Sequence, residues 1–595
     1  MIKGGWVDVE GSKTEIYAGD ADLSATSKLD EGSSEKSDEL GVSLAGHTRK
    51  RYVTLDDYGN EVKADGNATS STLTYAADAN YIIFRNIDVG SDAASGTSSN
   101  ATWTPLMFSG TMLGAATTTD AAKTAGALWS TINADGISTN DTAQRPVISN
   151  VNVTQTGKLD VSSHTGIGFF GTVSHKLSET NPFTGSATPA YVNNIKLRDV
   201  SVTNESTKVK VDQTLISSLL GVLGTVVGGL VSTLLKILTL GKVDLSGLIE
   251  SLLNVRAADP SSLATGAFAG RIVGEVTVDK CEVEGASVSS AADMTGGFAG
   301  YVKGEVKYDI LSDALGDIVK LLTNILNLIP GLGLGDLITL LLNNNIIKAS
   351  QLLPVAYYNP TISKSGVVNF ASGTVLGSAG KNYAGGFAGV QAGTIVTDAY
   401  IQSDVAYTVR AKAYAGGFAG VIRDDVMEGA LSDLGVDLPS LARLAIPQSI
   451  VATSSLTADV TVEGGSYAGG FAGAMAGSHA VNDSLTGAVN VTASGIQDGT
   501  ADMLAYAGGF TGAATLGWAM DLGAGDYKNT NLLNGVGGLL KGLLGSEDQS
   551  KASTLLSLAG LNESEILGAQ MAGTFMVSSA NDYAGKVEQR CRQQG

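Results

Sequence analysis

Cysteine, proline, histidine and charge are all scarce in this chain, and each shortage excludes something. The 595 residues hold two cysteines, Cys281 and Cys591, 310 positions apart. No disulfide framework of a small secreted domain follows from such a pair, and Cys281 is expected to pack as a small hydrophobe. Proline numbers 10 and no Gly-X-Y period exists, which excludes collagen. Charged residues are 16 % and apolar ones 43 %, the reverse of a disordered polar tail. Asp and Glu outnumber Lys and Arg by 58 to 38, for a net charge of −20. A nucleic-acid ligand is therefore not expected, because it needs a basic face. An acidic surface rich in Ser, Thr, Asn and Gly and poor in Lys suits a secreted bacterial protein.

Catalytic and ligand-holding patterns are missing too. The four histidines, His47, His164, His175 and His479, form no His-Glu-x-x-His pair, so a zinc protease of that kind is excluded. No Gly-x-Ser-x-Gly elbow, phosphate-binding GxxxxGK[ST] loop or DxDxDG calcium loop occurs. No metal, cofactor or catalytic residue is expected. Asp20/Asp22 and Asp56/Asp57 read as acidic turns. Asp424 and Asp425 follow Arg423 and superficially fit a glycosidase, but two carboxyls must flank a sugar about 5–10 Å apart. Neighbours at the start of an insert read more simply as first-turn acids. The opening MIKGGWVDVEG lacks a basic region followed by an apolar core. The end, with NDYAGK at 581–586, looks like a repeat cut short. An internal fragment of a larger protein is the expectation.

Glycine, at 76 residues, is what the chain has in excess, and it recurs in one peptide. KNYAGGFAGV at 381–390 returns as AYAGGFAGV, SYAGGFAGA and AYAGGFTGA. Eight Phe-x-Gly copies start at Phe108, Phe169, Phe268, Phe298, Phe387, Phe418, Phe471 and Phe510. Their final glycines, which include Gly300, Gly389, Gly420, Gly473 and Gly512, are spaced by 61, 99, 30, 89, 31, 53 and 39 residues. A base period near 30 with insertions follows. Tyr383, Tyr414, Tyr467 and Tyr506 precede four of the copies. Short alternating stretches come earlier: Ile87/Val89, Val151/Val153, Ile195/Leu197 and Cys281/Val283, each a strand with one buried face.

Units this short bury a core only by stacking. The predicted fold is an all-β solenoid, a right-handed parallel β-helix with α-helical insertions. The phenylalanines form a column and the glycines permit positive φ and close backbone approach. Residues 1–80 are expected to be a cap or small β region and 81–595 the array. Apolar segments with helical spacing predict helical inserts at 211–254, 307–354, 423–447 and 529–568, leaving one corner of the solenoid. The uncharged run 213–235 is long enough to span a bilayer, but Ser, Thr and Gly dilute it. Helices packed on one another, or a docking surface, account for it better than a membrane span.

The Gly-Gly-Phe-Ala-Gly copies resemble the GLUG motif, over roughly residues 80–590 with interruptions. That motif occurs in large surface proteins of Gram-positive and gut bacteria, including adhesins and the non-catalytic parts of some immunoglobulin A-cleaving proteases. The resemblance implies an exported rod on the cell surface or wall. It implies a host glycan or protein, such as mucin or immunoglobulin, as partner, and it carries over no catalytic residue. The alternatives are a polysaccharide-active β-helix enzyme and a protein that meets membranes through its apolar inserts.

Overall fold

The computed structural model describes residues 5–10, 13–18, 51–55, 60–62, 68–72, 80–83, 87–88, 91–92, 97–98, 103–114, 145–156, 158–160, 166–177, 187–205, 208–210, 263–310, 352–424, 448–495, 505–515 and 564–580. Every regular element among the described residues is a β-strand, and no helix occurs among them. Parallel pairing dominates.

One turn of the chain shows the plan. It runs through Ile395–Thr397, Tyr400–Gln402, Tyr407–Ala411, Tyr414–Gly416 and Ala419–Arg423, here called positions a to e. The next turn repeats them as Ser449–Ala452, Ser455–Thr457, Val460–Gly464, Tyr467–Gly469 and Ala472–Ala476. Each strand lies parallel on its counterpart: Ile395 on Ile450, Tyr400 on Ser455, Tyr407 on Val460, Tyr414 on Tyr467, Ala419 on Ala472. Among the described residues, seven such complete turns, beginning at Thr111, Ala190, Val276, Thr361, Ile395, Ser449 and Ser478, build the stack. This is a β-solenoid. In some turns b and c fuse into one bent strand, as in Glu282–Ser290 and Ser484–Ala493.

Alternation makes these strands. At position c, Tyr407, Val409 and Ala411 are buried while Thr408 and Arg410 face outward, the pattern of a sheet with one wet face. The corners need the left-handed backbone. Between a and b it is adopted by Asn194, Lys280, Lys364, Asp398, Thr453 and Asn482, with φ from 46 to 57°. Between b and c it falls on Asn150, Asp199 and Asn369, and on Gly285, Gly487 and Gly573. Asn, Asp and Gly tolerate this region best. Lys and Thr do so at a cost of about 1–2 kcal/mol each, offset because the amides of those same residues continue the ladder, for instance Lys280 N–H to Ser363 O at 3.0 Å.

Residues 5–72 extend the position-a sheet differently. Lys13–Ala18 pairs in parallel with Asn80–Ile83, which pairs with Thr111–Gly114. Gly5–Glu10, Arg51–Leu55, Asn60–Val62 and Ala68–Thr72 then follow as antiparallel neighbours.

The expected helical inserts lie mostly outside the described residues. Their margins are strand. Glu305–Ile310 and Leu352–Tyr358 form an antiparallel ribbon, so residues 307–310 and 352–354 of the 307–354 segment are not helical. Arg423 closes a position-e strand, and Glu565–Leu567 is a position-a strand within the expected 529–568 insert. A single exit corner is also corrected. Residues 304–360, 424–448 and 516–563 leave between e and a, but 205–262 leaves between c and d, and 115–146 between a and b. The chain therefore departs from the stack at three different corners.

Candidate functional site

The repeat peptide lies at the bend from d to e. Phe268, Phe298, Phe387, Phe418, Phe471 and Phe510 form a continuous column, ring on ring, with centroids 4.6–4.9 Å apart and planes within 9°. All are buried. The spacing equals the strand repeat, so the backbone ladder sets the stack, and each step adds about 0.5–1.5 kcal/mol beyond burial. Phe169 and Phe108 join the core differently. Phe169 is in the repeat register, yet its ring stacks on Trp103 at 4.7 Å, while neighbouring Phe170 meets Phe268 edge-on at 5.3 Å. Phe108 is off register by three residues. It pairs with Val173, and Leu106 takes the place opposite Phe170. Phe108-Ser109-Gly110 is a sequence look-alike rather than the first structural copy.

The glycines answer to close approach alone. None of the repeat glycines is among those with positive φ, which corrects half of the expected reason for them. A Cβ on Gly420 would lie 2.5 Å from Gly389 O and 2.8 Å from Ala384 O, both backbone. Gly300, Gly389, Gly473 and Gly512 meet the position-d backbone of the preceding turn in the same way. The d and e sheets thus touch backbone to backbone. On that side a second apolar cluster forms, with Tyr414, Tyr301, Val390, Val421 and Ala474, against which Tyr383 and Tyr467 pack. Tyr383, Tyr414, Tyr467 and Tyr506 stack there as a second column, 4.8–5.3 Å apart.

The outward face of position b holds the densest charge among the described residues. Glu282 takes Lys196 and Arg145 at 2.8 Å each and the Tyr400 hydroxyl at 2.9 Å. Lys196 also reaches Glu284 at 2.7 Å, which pairs with Arg198 at 2.8 Å. Tyr400 reaches Glu282 from two turns away because Gly366 between them has no side chain; a Cβ there would lie 2.7 Å from the tyrosine ring. Partial burial pushes Glu282 upward, but hydrogen bonds from Lys196 and Tyr400 win and hold its carboxyl below the usual range. Burial, then Glu282, pushes the Tyr400 phenol far up. The network is closed: Glu282 already occupies the place an anionic ligand would take.

Interior polar groups serve the corners. In the a–b column Cys281, Ser365, Ala399, Ser454 and Asp483 succeed Ile195. Ser365 Oγ accepts Cys281 N–H at 2.9 Å, Ser454 Oγ accepts Ala399 N–H at 3.3 Å, and Asp483 Oδ1 accepts Ser454 N–H at 2.7 Å. Cys281 is fully buried, as expected, and burial pushes its thiol up to about 12. Asp483 is also fully buried, its Oδ2 has no hydrogen-bond partner, and burial pushes its carboxyl up to about 7.

Of the candidate catalytic groups, His175, His479 and Asp424 are among the described residues. His175 is buried at the e–a corner, filling the space a Cβ on Gly274 would need. Its Nδ1 accepts Glu275 N–H at 3.0 Å, so its proton sits on Nε2, 3.7 Å from Glu305. Burial pushes the ring down to about 4, which leaves a neutral, sealed side chain. Asp424 is buried, with its N–H donated to Ala476 O at 3.0 Å. Asp425, Asp20, Asp22, Asp56, Asp57, His47 and His164 lie outside the described residues or have no described side chain. No three His, Cys, Asp or Glu residues converge as a metal site among the described residues. No helix among them is long and apolar enough to cross a membrane. No family model, curated protein or solved structure matches this chain.

Proposed function

We propose that the chain is a segment of a non-catalytic bacterial cell-surface adhesin or stalk, built as a right-handed β-helix with helical insertions and related to the GLUG-repeat surface proteins. Its work is mechanical and presentational. The rod is stiffened by aromatic columns, and segments leaving its corners carry contacts to a host glycan or protein such as mucin or immunoglobulin. The observation that carries this reading is where polar chemistry goes. Glu282, Lys196, Tyr400, Ser454 and Asp483 all tie turns of the stack to one another. Large interaction surfaces on a stacked scaffold suit such a role. A screen of immobilised glycans, mucin and immunoglobulin, run beside an assay for reducing ends and unsaturated sugars, tests it. Binding without turnover is expected. Release of sugar product by the purified chain would overturn it in favour of a polysaccharide-active enzyme.

A further inference from the structure

The second aromatic column places four phenols in one line. Tyr383, Tyr414, Tyr467 and Tyr506 open position d in four successive turns and pair in register, each with the next. Their centroids lie 5.2, 4.8 and 5.3 Å apart and their planes agree within 6°. No other two tyrosines stack among the described residues. The rings differ from the core column in exposure. Phe387, Phe418 and Phe471 are fully buried, whereas Tyr383, Tyr467 and Tyr506 are half-buried and Tyr414 is 6 % exposed. They differ in chemistry too. Stacking needs no hydroxyl, since the phenylalanines stack as closely, at 4.6–4.9 Å. A phenol, unlike a benzyl ring, readily loses one electron and one proton to give a radical with spin on its ortho carbons.

A rod of stacked turns is held by contacts between neighbours. Among the described residues no disulfide adds to them; the cysteine there, Cys281, is free and buried. A bond between column tyrosines joins turns directly. It closes loops of 31, 53 or 39 residues and so restrains the unfolded chain as a disulfide does. The ladder already holds each pair of rings side by side, which makes their encounter intramolecular. The broad χ2 torsion of tyrosine lets two rings tip until ortho carbons meet.

We propose that this column is an oxidative modification site at which dityrosine joins neighbouring turns. The oxidant class is a peroxide acting through a peroxidase. Each of two phenols gives up one electron and one proton, the ortho carbons form a C–C bond, and the hydrogens on those carbons shift to the oxygens. Two tyrosines and one hydrogen peroxide thus yield one dityrosine and two waters. The chemistry is the same whatever the rod binds. Treating the full chain with hydrogen peroxide and a peroxidase, then mapping cross-linked peptides by mass spectrometry, tests it. Links 383–414, 414–467 and 467–506 are expected inside the monomer, the two at the less exposed Tyr414 forming more slowly. Tyr467→Phe keeps the ring and the stack, checked by an unchanged far-ultraviolet spectrum. It should abolish two of the three links and leave 383–414. In urea the column should lose its preference among the chain's 18 tyrosines. Absence of dityrosine at the column in the native chain, or the same mixture of partners in native and denatured chain, overturns the proposal. So does a dityrosine yield that Tyr467→Phe leaves unchanged.

Discussion

Adding one methyl group at Gly420 tests how the d and e sheets meet. The new carbon would stand 2.5 Å from Gly389 O, 2.8 Å from Ala384 O and 3.0 Å from Ala384 N. Unstrained contact begins near 3.5 Å, so the sheets must part by roughly 1 Å. The turns around them are held together by Phe387 N–H to Phe418 O at 2.7 Å, Ala388 N–H to the same oxygen at 3.1 Å and Ala419 N–H to Phe471 O at 2.9 Å. None of those groups is a flexible side-chain end. Overpacking of this kind costs about 1–3 kcal/mol, and rigid backbone on both sides puts Gly420→Ala at the upper end. Gly380 is the control. It sits in an exposed turn closed by Lys381 N–H to Ser378 O, its φ is not positive, and a Cβ added there would meet nothing within 4 Å. Gly380→Ala should be neutral or stabilise by about 0.4–1 kcal/mol, by restricting the unfolded chain. Urea unfolding followed by far-ultraviolet circular dichroism reads both. A stacked array need not unfold in one step, so hydrogen exchange of residues 383–423 supplies a local readout. Gly420→Ala should lower the midpoint and speed that exchange, and Gly380→Ala should do neither. Equal effects from the two would refute the close-approach account of the repeat glycines.

Two further outcomes follow from buried groups. Asp483 keeps its proton in the folded chain up to about pH 7, whereas the unfolded chain releases it near 4. Between those values the unfolded state binds fewer protons, so stability falls as pH rises, by at most about 4 kcal/mol, and levels off above 7. Asp483→Asn should remove that slope and melt higher than the parent at pH 8; an unchanged pH profile would show that the carboxyl is relieved by solvent. Cys281, with its thiol pushed up to about 12, should resist thiol reagents in the native chain of a Cys591→Ser variant and label fully in denaturant. Rapid native labelling would mean that the a–b corner opens.

The repeating Phe and Gly were enough to read the stack, because their period names a position that every turn must fill. The same reading went astray where one turn contains two copies of one pattern. Val151/Val153 alternates just as Ile195/Leu197 does, yet it pairs with Val200/Val202 at position c, and Ile148 is the true counterpart of Leu197. Phe108-Ser109-Gly110 matched by residue type and failed by register. The a–b corner was invisible because its left-handed positions hold Lys280, Lys364 and Thr453 as well as Asn, residues that announce no turn. The Glu282 network escaped notice for another reason. Its bonded partners are 86 to 137 residues apart in sequence, and only the winding of the chain brings them together.

Cross-linking of successive turns tests the stack itself. Position 461 lies in parallel register between 408 and 490, and adjacent strands run about 4.8 Å apart, within the reach of a disulfide. With Cys281 and Cys591 replaced by Ser, the pairs Thr408→Cys with Thr461→Cys and Thr461→Cys with Asn490→Cys should both oxidise to internal disulfides, seen as a mobility shift reversed by reductant. Stacked turns predict both links at high yield in the monomer. Free thiols in both pairs under the same oxidation would mean separate modules and no shared core.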